Sequence, residues 1–248
     1  MLGLLLFGSI LSVCCGAINI EKYLKVCNRN SLELNQCMKG AVQDGIAVLS
    51  DGVEEIEIPA LDPYYQKELK VEYKNNQILA SIILKNIYVE GLKKATVHDA
   101  RVRADDDQVH IEIDLTAPKI VIRSDYEGVG QYNDLKIKAH GTVRTVMTDL
   151  VFTWKLDGVS EKNGDEKYIH INSFYMRPDV GKMQISMTNN NPETKDLTEF
   201  GLRFINENWR TLYKELLPFA QSNWDKIGTQ FANNIFMKVP YDQILPPN

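Results

Sequence analysis

Basic charge, catalytic motifs and spare cysteines are all scarce in this chain of 248 residues. Lysine and arginine number 28 against 33 aspartates and glutamates, a net charge of −5. A nucleic-acid partner would demand a basic face, so that class is excluded. No HExxH, CxxC or closely spaced histidine pair occurs, so no metal site is expected. Neither a GxSxG elbow nor a GxxxxGK[ST] loop is present. Gly128 and Gly130 in EGVGQY read as a turn rather than a phosphate loop. His98, His110, His140 and His170 each fall in an alternating stretch, and Asp105-Asp106-Asp107 reads as a solvated turn rather than an acid–base pair. The expectation is a protein that is not an enzyme, with no catalytic residue and no cofactor. There is no N-x-S/T sequon, and N-glycosylation is not expected.

Long hydrophobic runs are also absent after the first residues. Leu2 to Cys15 carry no charge, and Cys15-Gly16-Ala17 supplies small residues for cleavage. Residues 1–17 therefore read as a secretory signal peptide, although its start lacks lysine and arginine. The run is shorter than the roughly 20 residues a spanning helix needs, so stable membrane insertion is not expected. Cleavage would remove Cys14 and Cys15 and leave Cys27 and Cys37. In a secreted, extracellular chain that pair reads as one disulfide. Closing so short a loop contributes on the order of 2–3 kcal/mol.

Residues 18–248 are then expected to form one domain with three kinds of pattern. Ser31 followed by Leu32, Leu34, Met38, Ala41, Val42, Ile46 and Leu49 predicts a short amphipathic helix with Ser31 at its N-cap and Asp51-Gly52 at its end. From Leu69 to Thr188 the apolar period is two, in segments such as KELKVEYK, QVHIEIDLTA, KIVIRSDY, KYIHINSFYM and KMQISMT. Turns are predicted at Asn75-Asn76, Glu90-Gly91, Asp105–Asp107, Glu127-Gly128, Asn163-Gly164 and Asp179–Gly181. Strands joined in this way predict an antiparallel meander, with one very long curved strand from Asp134 to Leu156 bent near Gly141.

The last fifty residues return to helical spacing. Leu202, Ile205, Trp209, Leu212, Leu216, Phe219, Trp224, Ile227, Phe231 and Ile235 recur at gaps of mostly three or four. They predict a long greasy rod, capped by Thr194 or Asp196 and kinked or divided at Pro218. After Val239-Pro240, YDQIL is expected to return as a short strand or strap. The fold class is α+β: a highly curved antiparallel β-sheet wrapped around a long C-terminal helix, with a short N-terminal helix.

Three features together carry a resemblance: the Cys27/Cys37 pair, the IPALDP run from Ile58 to Pro63, and FGLRFINENWRTLYKEL followed by IFMKVPYDQILP. They look like the Takeout and juvenile-hormone-binding-protein family of secreted insect proteins, over about Tyr23 to Pro246. The hormone-binding members generally carry a second disulfide farther along. This chain has no further cysteine and is closer to the Takeout branch. The resemblance implies a tubular lipid-binding-like fold, an elongated apolar tunnel holding a small lipid- or terpenoid-like ligand, and a circadian or feeding role.

Carriage of such a ligand assigns candidate tunnel-lining residues to both elements. On the strands these are Ile111, Ile113, Ile137, Phe152, Trp154, Phe174, Ile185 and Met187. On the rod they are Phe204, Trp209, Leu212, Leu216, Trp224 and Phe231. Tyr88, Tyr132, Tyr175 and Tyr213 are the candidates for an inward hydroxyl. The partner is then a small hydrophobic ligand, with no nucleic acid and any receptor unknown. The chain has no coiled-coil heptad and is expected to be a monomer. Two other readings of the same residues are a secreted interaction protein acting through its surface, and a lipid-ester hydrolase.

Overall fold

The computed structural model describes residues 20–54, 57–74, 78–132 and 135–247. The predicted signal peptide and the Asn75-Asn76 turn lie outside them. Among the described residues the order is α1 (Leu34–Ser50), β1 (Tyr64–Lys74), β2 (Ile78–Glu90), β3 (Thr96–Ala104), β4 (Gln108–Tyr132), β5 (Leu135–Asn163), β6 (Glu166–Met176), β7 (Asp179–Met187), α2 (Lys195–Glu207), α3 (Trp209–Phe236) and α4 (Tyr241–Ile244).

All strand pairs are antiparallel, and the sheet runs β1-β2-β4-β5-β6. It is not a simple meander. β4 and β5 are so long, 25 and 29 residues, that each takes two further neighbours along its length. The first part of β4 pairs with β3 and the rest with β2; the first part of β5 pairs with β7 and the rest with β6. QVHIEIDLTA and KIVIRSDY, expected as separate strands, are one. Pro118 falls between the residues of β4 that pair with β3 and those that pair with β2, where a residue without an N–H breaks no rung to either. Two predicted turns are likewise absorbed: Glu127-Gly128 lies within β4, and Asp179–Gly181 opens β7. Asp105–Asp107 and Asn163-Gly164 do separate strands.

The inward face changes phase halfway along the two long strands. Ile111, Ile113, Leu115 and Ala117 are buried on β4, and then Ile120. On β5 Leu156, Phe152 and Leu150 are buried, and then Met147. Pro118 and Asp149 sit opposite each other at the change, and Asp149 has a left-handed φ of 56°. One such residue resets which side of the pleat the next side chains take. A second reset comes where β1 meets β2. Asn86 has φ 52°, and the inward residues shift from Val89 and Ile87 to Leu84. Beside β2, Gly91 sits at φ 112°, and a Cβ there would lie 2.1 Å from the Lys119 carbonyl oxygen, so only glycine fits.

The helices follow the predicted faces with shifted ends. α1 begins at Leu34, so Ser31 is not its N-cap. Ser31 instead organises the preceding turn, its hydroxyl accepting from the Glu33 N–H at 3.1 Å. Gly52, at φ 78°, follows the end of α1 as expected. The C-terminal rod breaks at Asn208 and not at Pro218. Asn208 Nδ2 donates to the Phe204 carbonyl at 2.9 Å, a local bond that competes with the helical ladder. α3 continues through Pro218, whose ring removes one backbone bond but holds φ near the helical value, with buried Leu217 beside it. The tail closes as a single helical turn, not a strand, started by Pro240 at φ −53°.

Three edge strands are capped by carboxamides from three helices. Gln43 of α1 accepts from Val97 N–H on β3 and donates to the carbonyl of Ala95 just before it, at 2.8 and 3.2 Å. Asn233 of α3 accepts from Ile171 N–H and donates to its carbonyl on β6, at 2.8 and 2.9 Å. Asn206 of α2 does the same for Ile185 on β7, at 2.8 Å twice. An amide offers one donor and one acceptor, as a neighbouring strand residue would, and so satisfies an otherwise open edge.

Candidate functional site

The curled sheet and the helices on its concave side line a partly open cavity of about 660 Å³. That is within the range of roughly 300–1,000 Å³ typical of small-molecule sites. Ile111, Ile113, Phe152 and Trp154 line it from the two long strands, and Phe174 and Met176 from β6. Trp224, Ile227, Phe231 and Ile235 face it from α3, as helical spacing requires. α1 contributes Met38, Ala41, Val42, Ile46 and Leu49; β1 and β2 contribute Leu69, Val71, Leu84, Ile87 and Val89. Gly228 lets the helix come close. A Cβ there would lie 2.2 Å from the Phe174 ring.

One end is tied by covalent and ionic bonds. The Cys27–Cys37 disulfide joins the N-terminal segment to α1, with Cα atoms 5.8 Å apart. Arg29, 8% exposed, donates to Asp242, Asp106 and the Leu245 carbonyl, each at 2.6 Å, and lies over the Tyr241 ring. Tyr241 is fully buried and donates to the Asp105 carbonyl at 2.8 Å; burial pushes its phenol up to about 12. Ile244 and Leu245, held by these bonds, line the cavity.

The titratable clusters lie on the outside of the sheet. His110 pairs with Asp157 at 2.6 Å and His170 with Glu161 at 2.8 Å, while His98 meets Thr116. Arg101 bridges Asp99, Glu112 and Asp114, and Lys155 reaches Glu112 at 2.8 Å. The Lys155 ammonium and the Arg101 guanidinium hold the Glu112 carboxyl down at about 2. None of these residues lines the cavity. Among the described residues no three His, Cys, Asp or Glu side chains are placed to hold a metal ion.

Residues 4–246 match the haemolymph juvenile hormone binding protein family. The chain belongs to that family. Two fruit-fly proteins, each described as circadian clock-controlled protein daywake, are similar to it at low identity. The Drosophila yakuba protein is 19% identical over 87% of this chain and 85% of its own. The Drosophila melanogaster protein is 18% identical over 93% and 91%. The crystal structure of Epiphyas postvittana Takeout 1 superposes with a TM-score of 0.70 at 20% identity, covering 90% of this chain and 99% of that one. The shared fold is the α+β one expected: a curled antiparallel half-barrel with a C-terminal helix and a short N-terminal helix.

In this juvenile hormone binding protein family chain, eight of the fourteen predicted residues line the cavity: Ile111, Ile113, Phe152, Trp154, Phe174, Leu216, Trp224 and Phe231. The other six lie off it. Ile137, Ile185 and Met187 are half-buried on β5 and β7, beyond the phase change. Phe204 is 54% exposed on α2. Trp209 and Leu212 are half-buried at the start of α3, where Trp209 meets Tyr213 edge-on and lies under Arg210. Among the described residues none of the predicted tyrosines lines the cavity. Tyr88 is exposed against Tyr65, Tyr175 is exposed, and Tyr213 donates to the Pro178 carbonyl at 2.8 Å with its phenol pushed up by burial to about 12. The side chain of Tyr132 lies outside the described residues.

Sequence reasoning passed over α1, β1 and β2 as lining. The α1 stripe was visible as an amphipathic face, but spacing alone does not say what that face meets. Tyr64 and Gln66, two residues apart on β1, were also missed. Tyr64 donates to Gln66 Oε1 at 3.0 Å, and both line the cavity.

Proposed function

We propose that this protein is a secreted, monomeric carrier that holds one small hydrophobic ligand, lipid- or terpenoid-like, in the apolar cavity between sheet and helices. The cavity carries the proposal. A void of about 660 Å³, walled by isoleucine, leucine, phenylalanine, tryptophan and methionine, offers nothing to hydrate polar groups and much to cover an apolar chain. A ligand entering it gains roughly 25 cal/mol for each Å² of apolar surface removed from water, less the cost of ordering it. Membership of a family named for haemolymph hormone binding supports the same reading. So does the lack, among the described residues, of any helix long and apolar enough to cross a membrane. The disulfide and the apolar N-terminal run support export of residues 18–248 as one ligand-binding domain. The likeness to clock-controlled relatives supports a circadian role for the carrier.

Two measurements test the proposal. Extraction of protein purified from its native source, followed by mass spectrometry, is expected to recover an apolar small molecule at near one per chain. Delipidated protein is expected to bind the neutral fluorescent probe N-phenyl-1-naphthylamine saturably. A protein with no extractable lipid that also fails to bind the probe is a surface-acting protein, and carriage is then abandoned.

A further inference from the structure

The cavity wall is almost wholly apolar, so its few polar groups decide what a ligand's polar end meets. Among the described lining residues these are Lys25, Tyr64, Gln66, Glu72 and Asn223, besides the indole N–H groups of Trp154 and Trp224. Lys25 and Glu72 are exposed, and Glu72 is paired with Lys70 at 2.7 Å. Asn223 is already engaged. An indole can donate but not accept.

Tyr64 and Gln66 are different. They share the inner face of β1, both are half-buried, and they are bonded to each other. Their Tyr64–Gln66 bond uses the hydroxyl proton, and Gln66 Nε2 gives one hydrogen to the Glu68 carbonyl at 3.1 Å. That leaves a second amide hydrogen as donor and the phenol oxygen's lone pairs as acceptor. The Tyr64 ring meets Phe231 edge-on, at 6.5 Å between centroids, which fixes its direction. Burial pushes the Tyr64 phenol up, so this part of the wall disfavours charge.

We infer that Tyr64 and Gln66 form the anchor for the oxygen-bearing end of an uncharged ligand, an ester, ketone or alcohol on a long apolar body. A free carboxylate is selected against. It would leave water for a wall whose only lysine among the described lining residues stays at the surface, and an unpaired buried charge is costly. The inference rests on the carrier reading and refines it.

The test uses delipidated full-length mature protein and displacement of N-phenyl-1-naphthylamine by four sixteen-carbon competitors. These are methyl hexadecanoate, hexadecanol, hexadecanoic acid and hexadecane. The ester and the alcohol are expected to compete about fivefold or more better than the alkane, the effect of one or two net hydrogen bonds, and better than the acid at pH 7. Gln66→Leu removes the donor to the ester, and Tyr64→Phe removes the bond that orients that amide; each is expected to bring the ester down to the alkane while the probe still binds. A purely structural role for the pair would weaken all competitors and the probe together. Retention of the ester preference in both variants, or an acid that competes better than the ester, overturns the inference while leaving carriage intact. A wild-type protein that does not bind the probe overturns both. Should one variant lose its native circular dichroism, the ester-to-alkane ratio in the other decides.

Discussion

The two halves of the sheet use the same alternating pattern and end up in different physical states. In the half built from β3, β6 and the adjoining parts of β4 and β5, several inward residues are sealed. Ile113 and Leu115 are each 1% exposed, and Ile169 and Ile171 are 0%. In the half built from β1, β2, β7 and the remaining lengths of β4 and β5, Ile82, Leu84, Val143, Ile185 and Met187 are only half-buried. The difference comes from what lies across them. α1, α3 and the Arg29-held tail cover the first half; α2, resting on β7, covers part of the second and leaves Phe200 and Phe204 in solvent. The cavity draws its wall from both halves. It reaches the surface at Leu216 and Glu72, both exposed lining residues. Alternation thus specifies a face, and helix placement decides whether that face becomes a solid core or a container.

The largest expected effect tests that contrast directly. Ile171→Ala removes a fully buried side chain and is expected to cost about 3 kcal/mol in urea unfolding, whereas Ile185→Ala, half-buried, is expected to cost about 1 kcal/mol. Equal losses would show that the second half is as tightly packed in solution as the first. Gly228→Ala comes next. Its new Cβ would meet the Phe174 ring at 2.2 Å, so the ring or the helix must shift at a cost of about 1–3 kcal/mol. The same change is expected to narrow the cavity and weaken probe binding, while Gly201→Ala on α2, with open space at that position, is expected to leave binding unchanged.

The amide caps give a third, smaller comparison. Asn233→Ala leaves the Ile171 N–H without its partner in a fully buried position, at about 1–3 kcal/mol. Asn206→Ala opens the Ile185 N–H on a half-buried strand that water can reach, at under about 1 kcal/mol. Hydrogen exchange at Ile171 and Ile185 reads the difference amide by amide. If both variants raise exchange equally, edge capping is uniform and the two halves differ only in their side-chain packing.

Much of this was visible in the chain before its coordinates. Period two marked Ile111, Ile113, Phe152 and Trp154 as one face, and helical spacing marked Trp224 and Phe231 as another, and these do meet across the cavity. Ile185 and Met187 carried an identical signal and lie off it, because alternation fixes a side of the sheet and not a position along it. The phase changes at Asp149 and Asn86 are single left-handed residues, which no hydrophobic pattern announces. Asn208 also hid well: apolar spacing runs unbroken from Ile205 to Trp209, so the rod reads as continuous where a side-chain amide ends it. Pro218 carried the louder local signal and was overridden by the packing of the helix around it.

The smallest effect concerns the outer surface, where the sealed half is also knit by charge. Glu112 accepts from Lys155 and Arg101, and its folded carboxyl is held at about 2 against an ordinary value near 4.5. A carboxyl whose folded value is depressed stabilises the fold above its unfolded value, and that contribution fades as pH falls from about 4.5 toward 2. Both cations are partly exposed, at 42–43% of their side chains, so solvent screening holds the gain to at most about 1 kcal/mol. Glu112→Gln is therefore expected to lower the melting temperature slightly at pH 7 and to converge with wild type near pH 2. On the outside of the other half, Lys85 and Glu127 stand 3.9 Å apart with both side chains well exposed, and Glu127→Gln is expected to change nothing measurable at either pH. A Glu127 variant as costly as the Glu112 one would mean that charge on this convex face stabilises by its overall balance, independent of which half of the sheet lies beneath it.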